Sequence, residues 1–159
     1  MKKWFIYGMG LAVSAAVLSG CNTVPSQTEN ATAGLLICEP NELCPVVTVS
    51  WNEQQKDTAN IHVALSSAKK DYDIQKISLS NAQKNIEYAA VQKTEYDIIL
   101  GMHRSKNSIT VPSKIFTELN SGNNISLTVH TDQGALKRYI YKDGKQSLLY
   151  KQLKSIAQK

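Results

Sequence analysis

Short alternating segments dominate the pattern of apolar and polar positions along this 159-residue chain. The clearest runs over residues 61–65, where Ile, Val and Leu alternate with His and Ala. This period of two is typical of a strand with one buried face. Similar stretches separated by polar turns are residues 46–51, 74–79, 86–91, 96–100, 108–111, 125–129 and 136–141. The pattern therefore predicts a mostly antiparallel sheet.

Two stretches near the C-terminus have helical spacing instead. Pro112 suits the first turn of a helix and Gly122 its end, while Ile115, Phe116 and Leu119 form the apolar stripe between them. A terminal amphipathic helix is predicted from an apolar face of Leu148, Leu149, Leu153 and Ile156. We predict an α+β fold, a small mostly antiparallel sheet with two short helices packed on one face. Its C-terminal unit is strand, helix, hairpin, helix.

The first 21 residues follow a different pattern. Lys2 and Lys3 precede an apolar segment over residues 4–18. Fifteen residues span about 22 Å as a helix, too little for a hydrocarbon core of about 30 Å. A cleaved signal peptide over residues 1–20 therefore fits better than a permanent membrane helix.

The end of this segment, Leu18-Ser19-Gly20-Cys21, resembles the lipobox of bacterial lipoproteins, which signal peptidase II cleaves. The resemblance implies a diacylglycerol on the Cys21 sulfur, cleavage after Gly20 and acylation of the new amino group, with palmitate-type chains. Asn22 stands where an Asp tends to retain such proteins in the inner membrane, so the resemblance implies an outer-membrane lipid anchor.

The rest of the chain divides in two by composition. Residues 22–34 are polar and small and cannot bury enough surface to fold, so we expect a lipidated flexible tether over residues 21–34. Residues 35–159 are expected to form one periplasmic domain. With Cys21 lipidated, Cys38 and Cys44 remain, and in an oxidising compartment they are expected to form a disulfide. No ligand spacing supports a metal, and no cofactor is expected.

Charge is distributed unevenly within a formal net charge of +5. Residues 21–101 hold six basic and ten acidic side chains, whereas residues 102–159 hold ten basic and three acidic ones. The asymmetry suggests a basic face that could meet lipopolysaccharide, phospholipid headgroups or an acidic protein, but the favoured interpretation is a solvated helix face with ordinary surface lysines. The candidate contacts are His103, Arg104 and Lys106 in a predicted basic turn, and Lys151 and Lys154 on the terminal helix. The mature charge is too small for a nucleic-acid binder.

No catalytic motif stands out. Ser-x-x-Lys occurs within residues 66–70, but the motifs that accompany it in penicillin-binding enzymes are missing. His62 and His130 alternate with apolar neighbours and are expected to point away from the core. We therefore expect a protein that is not an enzyme.

The leading hypothesis is an outer-membrane-anchored lipoprotein whose small periplasmic domain binds another envelope component. One alternative is an inhibitor of lysozyme-like enzymes that presents the acidic loop at residues 39–42; another is a periplasmic hydrolase. The layout of residues 108–159 resembles small secreted bacterial proteins of the invasion-associated locus B type. That resemblance assigns no residue a role.

Overall fold

The computed structural model describes residues 29–157 except positions 53, 91, 120 and 121. The predicted signal peptide, Cys21 and the first part of the predicted tether lie outside the described residues. Ten strands and two helices occupy the described ranges. They are β1 (Glu29–Leu35), β2 (Val46–Asn52), β3 (Gln55–Ser67), β4 (Ile74–Ser80), β5 (Asn85–Ala89), β6 (Glu95–Ile99), β7 (Met102–Pro112), α1 (Lys114–Leu119), β8 (Asn124–Thr131), β9 (Gly134–Lys142), β10 (Lys145–Gln146) and α2 (Leu148–Ala157).

The strands form two five-stranded antiparallel sheets, which confirms a mostly antiparallel architecture with two short helices. Sheet A has the order β1-β2-β3-β7-β6, and sheet B the order β10-β9-β8-β4-β5. Buried apolar side chains from both sheets form one core, among them Ile61 and Ile109 of sheet A and Ile77 and Leu127 of sheet B. The expected layer of helices on one sheet face is thus replaced by a second sheet. Each sheet has one apolar face, and the two faces cover each other.

The helices close the sandwich at an end and along an edge. Helix α1 connects β7 of sheet A with β8 of sheet B, and α2 lies against β1, β9 and α1. Leu149 is 1% exposed and Leu153 packs against the core, but Leu148 is 57% exposed. Leu148 was predicted to share their face, yet it begins the helix and is rotated about 100° from Leu149. The side chain of Ile156 lies outside the described residues.

The sandwich has two ends. The N-terminal pole holds the start of β1, the β2–β3 and β9–β10 turns and α1. The hairpin pole holds the β6–β7 turn, the β3–β4 connection and the β8–β9 turn.

The structure corrects two of the predictions about which residues form strands. Residues 29–34, assigned to the tether, form β1 by pairing with β2, because backbone hydrogen bonds do not require large apolar side chains. The predicted basic turn at residues 103–106 lies inside β7.

The predicted disulfide between Cys38 and Cys44 is present, with Cα atoms 5.9 Å apart. Its loop is attached to sheet B: the backbone N–H of Ile37 donates to the carbonyl of Tyr139 at 2.8 Å. The guanidinium of Arg138 donates to the carbonyl of Leu43 at 2.9 Å. The loop therefore bridges the two sheets on the side where α2 also lies.

Candidate binding site at the β6–β7 hairpin

The most exposed large apolar side chain among the described residues is Leu100, at the tip of the β6–β7 hairpin. The strands pair up to Ile99 and Met102, so Leu100 and Gly101 alone form the turn. Both have positive φ, 50° and 78°, as in the type I′ turns that suit the strand twist. Such turns favour Asn or Asp at the first position, because L-residues with larger side chains adopt this conformation at a cost. The Leu100 side chain is 98% exposed, so its burial does not offset that cost.

The rest of the hairpin end is apolar on both faces. Tyr96 and Ile98 pair with Ser105 and His103, which places them on the face turned towards the sandwich interior, yet Ile98 is 68% exposed. The edge strand β5 lies against β7, but sheet B leaves Tyr96 half exposed and covers still less of Ile98. Ile99 and Met102 are exposed on the opposite face. Contiguous exposed apolar groups of this kind mark interaction sites in soluble proteins.

Below the tip, charged side chains fasten β6 to β7. The guanidinium of Arg104 donates two hydrogen bonds to the Asp97 carboxylate, at 2.9 and 2.8 Å, and the Lys106 ammonium lies 2.9 Å from the same group. Hydrogen bonds from Arg104 and then from Lys106 lower the pKa of Asp97 to about 2. The carboxylate is therefore ionised at neutral pH, and the stem of the hairpin is preorganised.

A buried polar network ties the base of the hairpin to sheet B. The Asn107 side-chain amide donates to the carbonyl of Ile74 at 3.0 Å, and the Ile74 backbone N–H donates to the Thr94 hydroxyl at 2.8 Å. On the same face of β7, the Ser105 hydroxyl accepts from the backbone N–H of Tyr72 at 2.8 Å. These contacts tie β7 and the segment before β6 to sheet B, whereas most side chains of β6 and of the turn remain exposed.

The five predicted basic contacts do not form one site. Arg104 and Lys106 are engaged with Asp97, and His103 lies 3.3 Å from the Asp71 carboxylate. Lys151 and Lys154 are exposed on α2, next to the N-terminal pole. The structure thus separates the β7 residues from the helix residues.

Two histidines make serine contacts that resemble part of a catalytic triad. His62 Nε2 lies 3.0 Å from the Ser50 hydroxyl, and His130 Nε2 lies 2.7 Å from the Ser78 hydroxyl. Both histidines lie on outer sheet faces, as predicted. Ser78 is only 4% exposed, and the carboxylate of Glu87 contacts Ser78 rather than the free ring nitrogen of His130. A triad needs an accessible serine and a carboxylate on that nitrogen, so these contacts satisfy buried hydroxyl groups.

A shallow groove of about 330 Å³ runs beside His62 on the outer face of sheet A. Its floor comes from β2, β3 and β7 and its wall from Gln92, Lys93 and Glu95. Ser108 is the serine that borders the groove. Ser50, which bonds to His62, is buried and does not line it. The groove brings no nucleophile and base together.

The acidic loop at residues 39–42 has little free charge. Glu42 accepts the backbone N–H of Glu39 at 3.0 Å and lies 3.3 Å from the Arg138 guanidinium. Burial of Arg138, whose side chain is 12% exposed, makes that pairing part of the domain's structure. Only Glu39 remains to face a partner.

The pattern over residues 96–100 predicts a strand and does not reveal the exposed tip at Leu100. The available signal was Leu100-Gly101 between two alternating runs, a turn with an apolar residue in place of a polar one.

Within the described residues, no helix is long and apolar enough to cross a membrane, and no three His, Cys, Asp or Glu side chains are grouped to hold a metal ion. No protein-family model, curated protein or solved structure matches this chain.

Proposed function

We propose that this chain is a lipid-anchored envelope protein whose sandwich domain binds a second envelope protein through the β6–β7 hairpin tip. The observation that carries the proposal is the position of the tip. The described chain begins at the N-terminal pole, and the exposed apolar residues of the β6–β7 hairpin lie at the other pole.

Chain length limits how the domain can sit on its membrane. Cys21 precedes Glu29 by eight residues, and an extended chain advances at most ~3.6 Å per residue, so about 29 Å separates the anchor from β1 at most. Strand β3 has 13 residues and runs from one pole to the other, about 43 Å. Inverting the domain to bring the tip to the same bilayer exceeds the reach of the tether. The tether therefore excludes an inverted domain, and an upright domain presents its tip to a partner away from the anchor.

The choice of residue at the tip supports a binding role over a structural one. Leu100 makes no contribution to the core, and its backbone conformation is unfavourable for a leucine. Residues with an unfavourable backbone conformation that the surrounding structure enforces are concentrated at functional sites. A partner that removes Leu100 and Ile98 from water gains their burial, and the clamped stem lowers the entropy cost of binding.

The alternatives draw less support from specific contacts. An inhibitor that presents residues 39–42 to a basic enzyme has one free carboxylate there, because Glu42 is paired with Arg138. A hydrolase that uses Ser50 or Ser78 has a nucleophile buried under a histidine. The hairpin tip, by contrast, carries exposed apolar side chains that contribute nothing to the core.

The anchor is tested by Cys21→Ser, because sulfur accepts the lipid. The native chain is expected to partition into detergent after cleavage before residue 21, and the variant to remain an unprocessed precursor. A variant that is cleaved at the same bond and still partitions into detergent contradicts the lipid anchor.

The hairpin is tested by placing a photo-crosslinking amino acid at position 100, and separately at position 143, in the cells that make the protein. We expect one discrete protein adduct from position 100 and none from position 143, a turn of the same geometry at the other pole. Ile98→Ser should abolish the adduct, whereas Leu148→Ser, which removes an exposed leucine near the N-terminal pole, should leave it. Equal adducts at both positions, or an adduct insensitive to Ile98→Ser, would exclude the hairpin as the binding element.

A further inference from the structure

Five exposed lysines surround the N-terminal pole, and none of them forms a close ion pair with a carboxylate among the described residues. They lie on β3, α1, β10 and α2: Lys56, Lys114, Lys145, Lys151 and Lys154. A sixth, Lys142, stands 4.8 Å above the ring of Tyr139. Carboxylates are fewer at this pole: Glu118 is paired with Lys84, Asp57 and Asp143 are exposed, Glu29 begins β1, and Glu53 stands between β2 and β3 in the sequence. The surface beside the start of β1 is therefore net positive.

The hairpin pole has the opposite balance. Three exposed carboxylates, Asp71, Asp73 and Asp132, stand there against two exposed lysines, Lys69 and Lys70, and Lys70 bonds to the Gln133 side chain. Burial of the hydroxyl and the charge of Asp73 raise the pKa of Tyr96 beside them. The uneven charge of the sequence thus becomes a charge difference between the two ends of the sandwich.

We propose that the basic N-terminal pole rests on the anionic headgroups of the phospholipid bilayer that holds the Cys21 lipids. The inference depends on the proposed lipid anchor, which brings this pole within about 29 Å of the bilayer. Lysine ammonium groups near an anionic surface each favour contact about fivefold, within a Debye length of about 8 Å. The lipid supplies the local concentration and the lysines supply the orientation.

This docking would give the hairpin its direction. With the N-terminal pole on the headgroups, β3 runs away from the membrane towards the hairpin tip. A tether alone permits the domain to lie on its side, whereas lysines on several elements of one pole favour the upright arrangement. The basic pole therefore complements the hairpin rather than competing with it for a partner.

The test is lysine acylation, read by mass spectrometry, on the full-length lipidated protein. The protein is bound to vesicles of phosphatidylcholine alone, or to vesicles that also contain phosphatidylglycerol. We expect Lys114, Lys145, Lys151 and Lys154 to be modified several-fold more slowly on the anionic vesicles, and Lys69 at the hairpin pole to react equally on both. High salt should remove the difference, since it screens exposed charges.

Paired charge reversals provide the control. Lys151→Glu with Lys154→Glu should restore the acylation of Lys114 and Lys145 on anionic vesicles. Lys69→Glu with Lys93→Glu makes the same change of charge at two exposed lysines elsewhere, and should leave the protection intact. Unchanged melting temperatures establish that both variants fold.

Flotation of the vesicles separates the two proposals. Protein that does not float has no lipid anchor, and both the anchor and the docking inference fail. Protein that floats but shows no lipid-dependent protection of the pole retains its anchor and overturns the docking inference. Protection that is equal on both kinds of vesicle, or present without vesicles, indicates contact with another copy or another surface and also overturns it.

Discussion

Two turns of nearly identical backbone geometry, one at each pole, have opposite chemistry. Leu100-Gly101 joins β6 to β7 with φ values of 50° and 78°, and Asp143-Gly144 joins β9 to β10 with φ values of 48° and 83°. Asp143 is a residue that this conformation favours, whereas Leu100 is not. Asp143 thus suits the conformation of its turn, whereas Leu100 gains nothing for folding in its own, and the proposed binding role of the hairpin accounts for this contrast.

The largest expected effect compares two leucines under the same substitution. Leu149→Ala should lower the free energy of unfolding by about 2–5 kcal/mol, because Leu149 is fully buried between the helix and the sheets. Leu100→Ala should change it by less than about 0.5 kcal/mol, since the side chain is in water. Urea unfolding of the purified variants measures both. A large loss from Leu100→Ala would mean that the tip packs against the domain, and the contrast between the poles would disappear.

Exchanging the turn residues should give a smaller effect of opposite sign at the two ends. Leu100→Asp is expected to raise the free energy of unfolding by about 0.5–1 kcal/mol, and Asp143→Leu to lower it by a similar amount, because the left-handed conformation disfavours leucine. The same Leu100→Asp variant should lose its crosslinked adduct when the crosslinker is placed at Ile99. Greater stability together with lost binding is the signature of a functional residue. If Leu100→Asp destabilises the fold, the turn has a structural reason for its leucine.

The smallest expected effect is a pH dependence at the stem of the hairpin. The folded-state pKa of Asp97 is about 2 and its ordinary value is 3.8. Its ion pairs with Arg104 and Lys106 therefore add stability above pH ~4 that is lost as the pH falls through about 2. The stability difference between the native protein and Asp97→Asn should be constant at higher pH and shrink across this window. Urea midpoints at a series of pH values measure this stability difference. A difference that stays constant down to pH ~2 would mean that the ion pairs of Asp97 with Arg104 and Lys106 contribute nothing to stability.

Local patterns were reliable where one face of an element is buried. The alternation at residues 61–65 placed Ile61, Val63 and Leu65 in the core and His62 outside it. The interval between Pro112 and Gly122 does contain α1, although Pro112 ends β7 instead of lying in the first turn of the helix. The cysteine count identified the disulfide between Cys38 and Cys44. In each case, the information is carried by residues close together in the sequence.

Long-range partners could not be obtained in this way. A period of two shows that a strand has an apolar face but does not show whether a helix or a second sheet covers it, so the sandwich was missed. Likewise, His103, Arg104 and Lys106 are basic in the sequence, but their carboxylate partners lie on other elements, Asp71 and Asp97. Charge alone predicted an anion site where the fold forms ion pairs.

By itself, the sequence determined the strand faces, the disulfide and the overall charge asymmetry, because each follows from residue type and local spacing. The tertiary structure alone decided that the start of the chain and Leu100 lie at opposite ends of the domain, and that the unpaired lysines gather beside the start of the chain. Those relations depend on strand order and on the crossings between two sheets, which are set by packing over the whole core.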